Sequence, residues 1–127
     1  MRKYETVFIS HPDLQEQARK ELFEKVKNIV AKENGILVDF DDWGNKKLAY
    51  EIRKNTRGHY VCMTFGGDGD TVNELERIFR LDDSILKFMT IVKDKDVDPA
   101  ELKQEAEQAE NSEPEASETT TETAETN

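Results

Sequence analysis

Asp42-Trp43-Gly44-Asn45-Lys46-Lys47-Leu48-Ala49-Tyr50-Glu51-Ile52-Arg53-Lys54-Asn55-Thr56-Arg57-Gly58-His59-Tyr60-Val61-Cys62-Met63-Thr64-Phe65 reads as one extended β-hairpin, and the rest of the fold is arranged around it. Leu48, Tyr50 and Ile52 alternate with Lys47, Glu51 and Arg53, the two-residue period of a strand with distinct faces. The stretch from Lys54 to Gly58 supplies a turn, and His59 to Phe65 the returning strand. Between Lys46 and Arg57 five cations, Lys46, Lys47, Arg53, Lys54 and Arg57, stand against the single acid Glu51.

Upstream, Ile36 to Asp42 continues the same strand pattern, with Trp43-Gly44-Asn45 as the interruption; the glycine predicts a bulge or bend. Farther back, Tyr4 to Ser10 is a strand whose two faces, Tyr4, Thr6, Phe8 and Glu5, Val7, Ile9, are both largely apolar, which suits the middle of a sheet. His11-Pro12-Asp13 breaks it. Asp13 with Glu16 is placed for a capping box, and Leu14, Ala18, Leu22, Val26, Ile29 and Val30 recur at helical spacing up to the Asn34-Gly35 stop. Downstream, Gly66 to Asp70 is a loop, and Thr71 with Glu74 predicts a second capping box. The helix it opens buries Val72, Leu75, Ile78 and Phe79 and ends near Leu81-Asp82-Asp83; Ser84 to Val92 is the last strand.

The order strand, helix, strand, strand, helix, strand predicts an α+β fold: a ferredoxin-like βαββαβ sandwich with a four-stranded antiparallel sheet and two helices on one face. Its usual spatial order is second, third, first, fourth strand. The opposite sheet face is left open, and an apolar open face implies a partner or stacked ligands.

The formal charge of −10 is confined to one end of the chain. Residues 1–95 carry 17 Lys and Arg and 17 Asp and Glu, whereas residues 96–127 carry Lys103 against 11 acids. The domain at 1–95 is therefore neutral, and 96–127 reads as an acidic disordered tail too poor in apolar groups to offset the entropy of ordering. Within it, Pro99 to Glu110 has good helix formers behind a proline and is placed for a transient helix. No apolar run approaches the roughly 20 residues of a membrane span, and Met1-Arg2-Lys3 leads into a strand, so a cytoplasmic location is expected. Cys62 stands alone, which excludes an intramolecular disulfide and offers no metal motif.

Neither histidine has the neighbours of a catalytic site, and no phosphate-binding loop, nucleophile triad or metal cluster is present, so the reading is of a non-enzyme that needs no cofactor. Nucleic-acid binding has more behind it. Arg2 and Lys3 open the first strand and Lys93 and Lys95 close the last. If those strands are antiparallel neighbours, the four charges meet at one sheet end, with Lys87 farther along and Tyr4 and Phe88 as flat surfaces for bases. Arg57 to Met63 begins like the longer signature of the RNA recognition motif, but its third and fifth positions, His59 and Val61, are not aromatic.

A closer resemblance covers residues 1 to about 95. Met1-Arg2-Lys3-Tyr4-Glu5, Trp43 to Ile52 with its Gly-x-x-x-Leu-Ala-Tyr run, Gly58-His59-Tyr60, and Glu74 to Asp83 leading into Leu86-Lys87-Phe88-Met89 are similar to the bacterial small-subunit ribosomal protein six family. Where that family usually has Pro after Leu-Ala-Tyr, this chain has Glu51, a change at an edge-strand position. The resemblance implies a structural constituent of the small ribosomal subunit, binding the central domain of small-subunit ribosomal RNA together with small-subunit ribosomal protein eighteen. The expected RNA contacts are Arg2, Lys3, Tyr4, Lys87, Phe88 and Lys93, with Lys46, Lys47 and Arg53 as secondary contacts. Trp43, Leu48, Tyr50 and Tyr60 are expected to face the partner protein.

Overall fold

A computed structural model describes residues 1–108. Six elements follow in order: β1 (Arg2–Ser10), α1 (Glu16–Lys32), β2 (Ile36–Ile52), β3 (Asn55–Gly67), α2 (Gly69–Leu81) and β4 (Ile85–Asp94). A further helix, α3, runs over 99–108. The sheet order is β2-β3-β1-β4, every neighbouring pair antiparallel, which is the ferredoxin-like arrangement expected from the element order.

β1 is central because both of its edges are paired: Phe8 stands opposite Val61 on one side and Phe88 on the other. One face of the sheet meets the helices. Tyr4, Phe8, Val61, Met63 and Phe65 from the strands are buried with Leu22, Val26, Ile29 and Val30 of α1 and Leu75 and Phe79 of α2. Thr6 is fully enclosed among them, and its hydroxyl is satisfied by that of Thr90 at 2.8 Å. A smaller cluster of Ile9, Leu48 and Leu86, with Ile52 and Tyr60 against it, fills the other side at the hairpin end.

Both helix starts differ from the capping-box expectation. α1 begins with Gln15 at the cap and no side-chain cap bond; Asp13 is spent earlier, its amide donating to His11 Nδ1 at 3.2 Å. α2 is capped by Asp68, three residues before the expected Thr71. Asp68 accepts from the Thr71 amide at 3.1 Å, while the Thr71 hydroxyl accepts from the Asp68 amide. Thr71 has the geometry of the third helical residue, and the short Asp carboxylate wins the cap. The Asn34-Gly35 stop forms as read. Asn34 takes a φ of 63°, and the amides of Asn34 and Gly35 donate to the carbonyls of Ala31 and Val30.

The hairpin turn is tighter than Lys54 to Gly58. Ile52 pairs with Asn55, so Arg53 and Lys54 alone make the turn, with φ values of 48° and 65°. Asn-Gly is the usual sequence for such a turn, which hid this one. The Asn55 side-chain Nδ2 donates to the carbonyls of Ile52 and Arg53, and Arg53 Nη1 donates to the Asp83 carbonyl at 3.1 Å, which ties the tip to the loop before β4. The bulge expected at Gly44 is present, with φ 81° and a register shift between Asp42 and Gly44. A second irregularity follows: between the Lys47–Arg57 and Ile52–Asn55 pairs, residues 48–51 of β2 stand against Thr56 alone.

The boundary at residue 96 is corrected by α3. Leu102 is fully buried, the Val97 amide donates to the Met1 carbonyl at 2.7 Å, and Lys3 Nζ lies 3.0 Å from Glu105 Oε2. Burying one leucine is worth roughly 2 kcal/mol, enough to dock a short helix that composition alone reads as solvated. The part of the expected tail after residue 108 lies outside the described residues.

The approach of the hairpin to β1 depends on Gly58, where an added Cβ would lie 2.3 Å from Ile9 Cγ2 and 3.3 Å from Leu48 Cδ2. Ile9 is branched at that point and buried, so it has no rotamer into which to retreat. Gly58→Ala is expected to destabilise the domain by about 1–3 kcal/mol, seen as a lower urea midpoint with unchanged slope; an unchanged midpoint would show the contact is soft.

Candidate nucleic-acid and partner interface

Antiparallel pairing of β1 with β4 sets Lys3 opposite Asp94 and Tyr4 opposite Val92, with a bulge between the two pairs. Arg2, Lys3, Lys93 and Lys95 are thereby gathered at one end of the sheet, as the strand order required. Arg2, Lys93 and Lys95 are exposed and Lys3 is half-buried beside α3. Arg2 Nη1 reaches the Tyr4 hydroxyl at 3.4 Å.

Tyr4 and Phe88, read as surfaces for bases, are corrected by the structure. Tyr4 is buried on the helix-facing side, its ring stacked on Phe65 with centroids 5.5 Å apart. Phe88 packs against Phe79 at 5.3 Å. Both faces of β1 looked apolar, so the sequence could not say which one the helices would cover. Tyr4 lies beneath the basic end, whereas Phe88 lies farther along β4, opposite Phe8.

Lys87 separates from this group. It sits near the start of β4 and Lys93 near its end, six residues or about 20 Å along a strand. Lys87 joins the hairpin instead: its ammonium donates to the Tyr50 hydroxyl and lies 5.0 Å from the centre of the Tyr50 ring. The six contacts expected at the sheet end therefore separate: Arg2, Lys3 and Lys93 stay there, Lys87 joins the hairpin, and Tyr4 and Phe88 pack on the core.

At the hairpin end, Lys46, Lys47 and Arg53 are exposed, with Arg53 anchored on Asp83. Trp43 and Tyr50 are exposed and Tyr60 half-buried, so all three present surface to a partner. Leu48, expected beside them, is corrected: it is buried against Ile9 and Leu86, because the irregular stretch 48–51 turns it beneath the hairpin. Trp43 is oriented by its Nε1–H, which donates to Asp41 Oδ2 at 2.8 Å. Trp43, Lys46, Lys47, Asp42, His59 and Tyr60 line a shallow concavity around the Gly44 bulge.

His59 is buried, its Nε2 is 2.6 Å from Asp42 Oδ1, and its ring lies 5.8 Å from Phe23. Burial raises the Asp42 pKa, but the His59 hydrogen bond and charge, the Gly44 amide and Arg19 together outweigh it and hold the carboxyl below its ordinary range.

The middle of the open face carries residues that the sequence reading did not single out. Glu5 and Asp39 stand opposite Thr64, and Asp41 opposite Cys62, so three acids share that face with the thiol. Burial first, then Glu5, Asp41 and Asp39, pushes the Cys62 pKa up to about 11. Beside them on β4, Met89 and Ile91 are exposed. Strand pairing across three elements makes this acidic and apolar centre, and no local motif announces it. Among the described residues no group of His, Cys, Asp and Glu could hold a metal ion, and no helix is long and apolar enough to cross a membrane.

Comparison with known proteins agrees with this geometry. The family model described as Ribosomal protein S6 matches residues 3–92. The chain is 65% identical over 103 residues to the small ribosomal subunit protein bS6 of Desulforapulum autotrophicum, covering 81% of this chain and 66% of that one. It is 51% identical over 104 residues to the bS6 of Desulfosudis oleivorans, covering 82% and 62%. In both cases the chain spans less than two thirds of the relative's length; for the bS6 of Caldanaerobacter subterraneus, 44% identical over 91 residues, the match covers 72% of this chain and 96% of the relative. Among solved structures, the 30S ribosomal protein S6 of Thermotoga maritima superposes with a TM-score of 0.69 at 31% identity, covering 86% of this chain and 97% of that one.

Two titrations report on the site. The Cys62 thiol is expected to react with iodoacetamide only slowly at pH 8, the rate climbing toward pH 11, and Glu5→Gln should move that climb to lower pH; a profile centred near the ordinary thiol value of about 8.5 would contradict the acidic centre. Because the folded Asp42 carboxyl titrates below its unfolded value, its contribution is present at neutral pH and lost as pH falls through the folded pKa. Asp42 is half exposed, so Asp42→Asn should cost no more than about 1 kcal/mol at pH 7, and urea melts should show the cost beginning to shrink near about pH 4, the ordinary carboxyl value, and continuing to fall as pH drops farther.

Proposed function

The chain belongs to the ribosomal protein S6 family, and on that premise we propose that it is a structural component of the small ribosomal subunit, binding the central domain of small-subunit ribosomal RNA together with small-subunit ribosomal protein eighteen. It is a structural protein and not an enzyme, and it works in the cytoplasm on the ribosome. Arg2, Lys3 and Lys93, with Lys95 beside them, contact RNA phosphates. Lys46, Lys47, Arg53 and Lys87 at the hairpin are secondary contacts, and Trp43, Tyr50 and Tyr60 meet the partner protein.

The observation that carries this is the meeting of Arg2, Lys3, Lys93 and Lys95 at one sheet end of a domain whose net charge is zero. Four cations from opposite ends of the domain are brought to one sheet end by β1–β4 pairing, three of them exposed, with Asp94 opposite Lys3 the one acid of the paired strands there; total charge does not reveal this grouping. The acidic centre formed by Glu5, Asp39 and Asp41 repels phosphate, so RNA is confined to the ends of the sheet while the open face suits protein.

A neutral domain with about four phosphate contacts binds RNA weakly alone, and a second protein adds the missing charge and surface. Log affinity for a central-domain RNA fragment should fall with log salt at a slope of roughly −3 for the chain alone; tight, salt-insensitive binding would contradict this. Replacing Arg2, Lys3 and Lys93 together by Glu is expected to abolish co-sedimentation with small ribosomal subunits while leaving the fold intact. Undiminished co-sedimentation would remove the sheet end from the interface.

A further inference from the structure

α3 sits where the basic end of the sheet would meet RNA. Lys3 and Gly66 are cross-strand partners and so share one face, the open one. α3 docks on that face: a Cβ on Gly66 would lie 2.2 Å from Leu102 Cδ1 and 3.0 Å from Met1 Sδ, so the missing side chain makes the seat for Leu102. Asp98 starts the helix by accepting from the Ala100 amide at 2.9 Å. One turn past Leu102, Glu105 Oε2 lies 3.0 Å from Lys3 Nζ. From 96 to 108 the segment carries Asp96, Asp98, Glu101, Glu105 and Glu107 against Lys103 alone.

We propose that α3 is a built-in competitor for RNA, with the Glu105 carboxylate occupying Lys3 in place of a phosphate until RNA displaces the helix. The inference rests on the reading of the sheet end as an RNA contact. Its physical basis is that Lys3 cannot serve both anions at full strength, and that the docked segment brings excess negative charge to the same end. Among the described residues the anchor is one leucine, one ion pair and one backbone hydrogen bond from Val97 to Met1, shallow enough to release. Apparent RNA affinity is then the intrinsic affinity reduced by the fraction of molecules with α3 undocked.

The test uses the full chain and a central-domain fragment of small-subunit ribosomal RNA, with binding measured at low and high salt. Glu105→Gln removes the ion pair and Leu102→Asn the anchor, while Glu107→Gln makes the same charge change at an exposed position. Glu105→Gln and Leu102→Asn should each tighten binding by about threefold to tenfold at low salt, the gain shrinking as salt screens the pair. Leu102→Asn should also speed hydrogen exchange at the Val97 amide, which reports undocking independently. Glu107→Gln should change affinity by less than about twofold. Equal affinity for the unaltered chain, Glu105→Gln and Leu102→Asn would overturn the competition while leaving the RNA reading standing. A gain from Glu107→Gln as large as that from Glu105→Gln would overturn it in favour of overall charge. Absence of RNA binding in every protein would overturn the RNA reading and the competition together.

Discussion

Phe8 is the contact on which the rest of this structure depends. Its ring is fully buried at the centre of the central strand, 5.0 Å from Phe79 of α2, 6.0 Å from Phe23 of α1 and 6.2 Å from Phe40 of β2. One side chain thus joins both helices to the sheet, and each such aromatic pair contributes about 0.5–1.5 kcal/mol beyond its buried area. Because β1 is hydrogen-bonded on both edges, the face that Phe8 takes sets the register of β3 and β4 together. A slip of one residue would turn Phe8 onto the open face and Lys3 toward the helices. The basic end of the sheet is therefore a consequence of core packing.

Charge is segregated over a domain that is neutral in sum. The ends of the sheet are basic, at Arg2, Lys3 and Lys93 on one side and Lys46, Lys47 and Arg53 on the other, and the middle is acidic at Glu5, Asp39 and Asp41. The raised Cys62 pKa is a local reading of that middle field, since burial and three carboxylates all oppose a thiolate there. What such a surface attracts depends on where contact is made, and net charge says little about it.

The hairpin shows how local strain is held by distant contacts. Arg53 and Lys54 take left-handed backbone without glycine, and the unmatched residues 48–51 break the ladder just before them. Leu48 buried under the hairpin, the Arg53 bond to Asp83 and the Tyr50 contact with Lys87 all lie on the far side of the sheet, and together they hold the tip over β4. Their partners Leu86, Asp83 and Lys87 lie in β4 or the loop before it, which follow the hairpin in sequence.

Composition and periodicity determined the element order, the ferredoxin-like topology, the Gly44 bulge, the Asn34-Gly35 stop and the neutrality of residues 1–95, because each follows from neighbours within a few residues or from a simple count. The family was legible too, since its motifs are contiguous runs. Local reading misplaced the caps: Asp68 outcompetes Thr71 by geometry, and Asp13 lies too far from the first turn of α1. It also missed the two-residue turn at Arg53-Lys54, which lacks the usual glycine. Only the tertiary structure decided that Tyr4 and Phe88 face the core, that Lys87 leaves the sheet-end group for the hairpin and Tyr50, that the acids converge on Cys62, and that Leu102 finds a seat at Gly66. Each of these depends on residues tens of positions apart meeting across strand pairs, and which face of β1 the helices cover is a property of the packed whole.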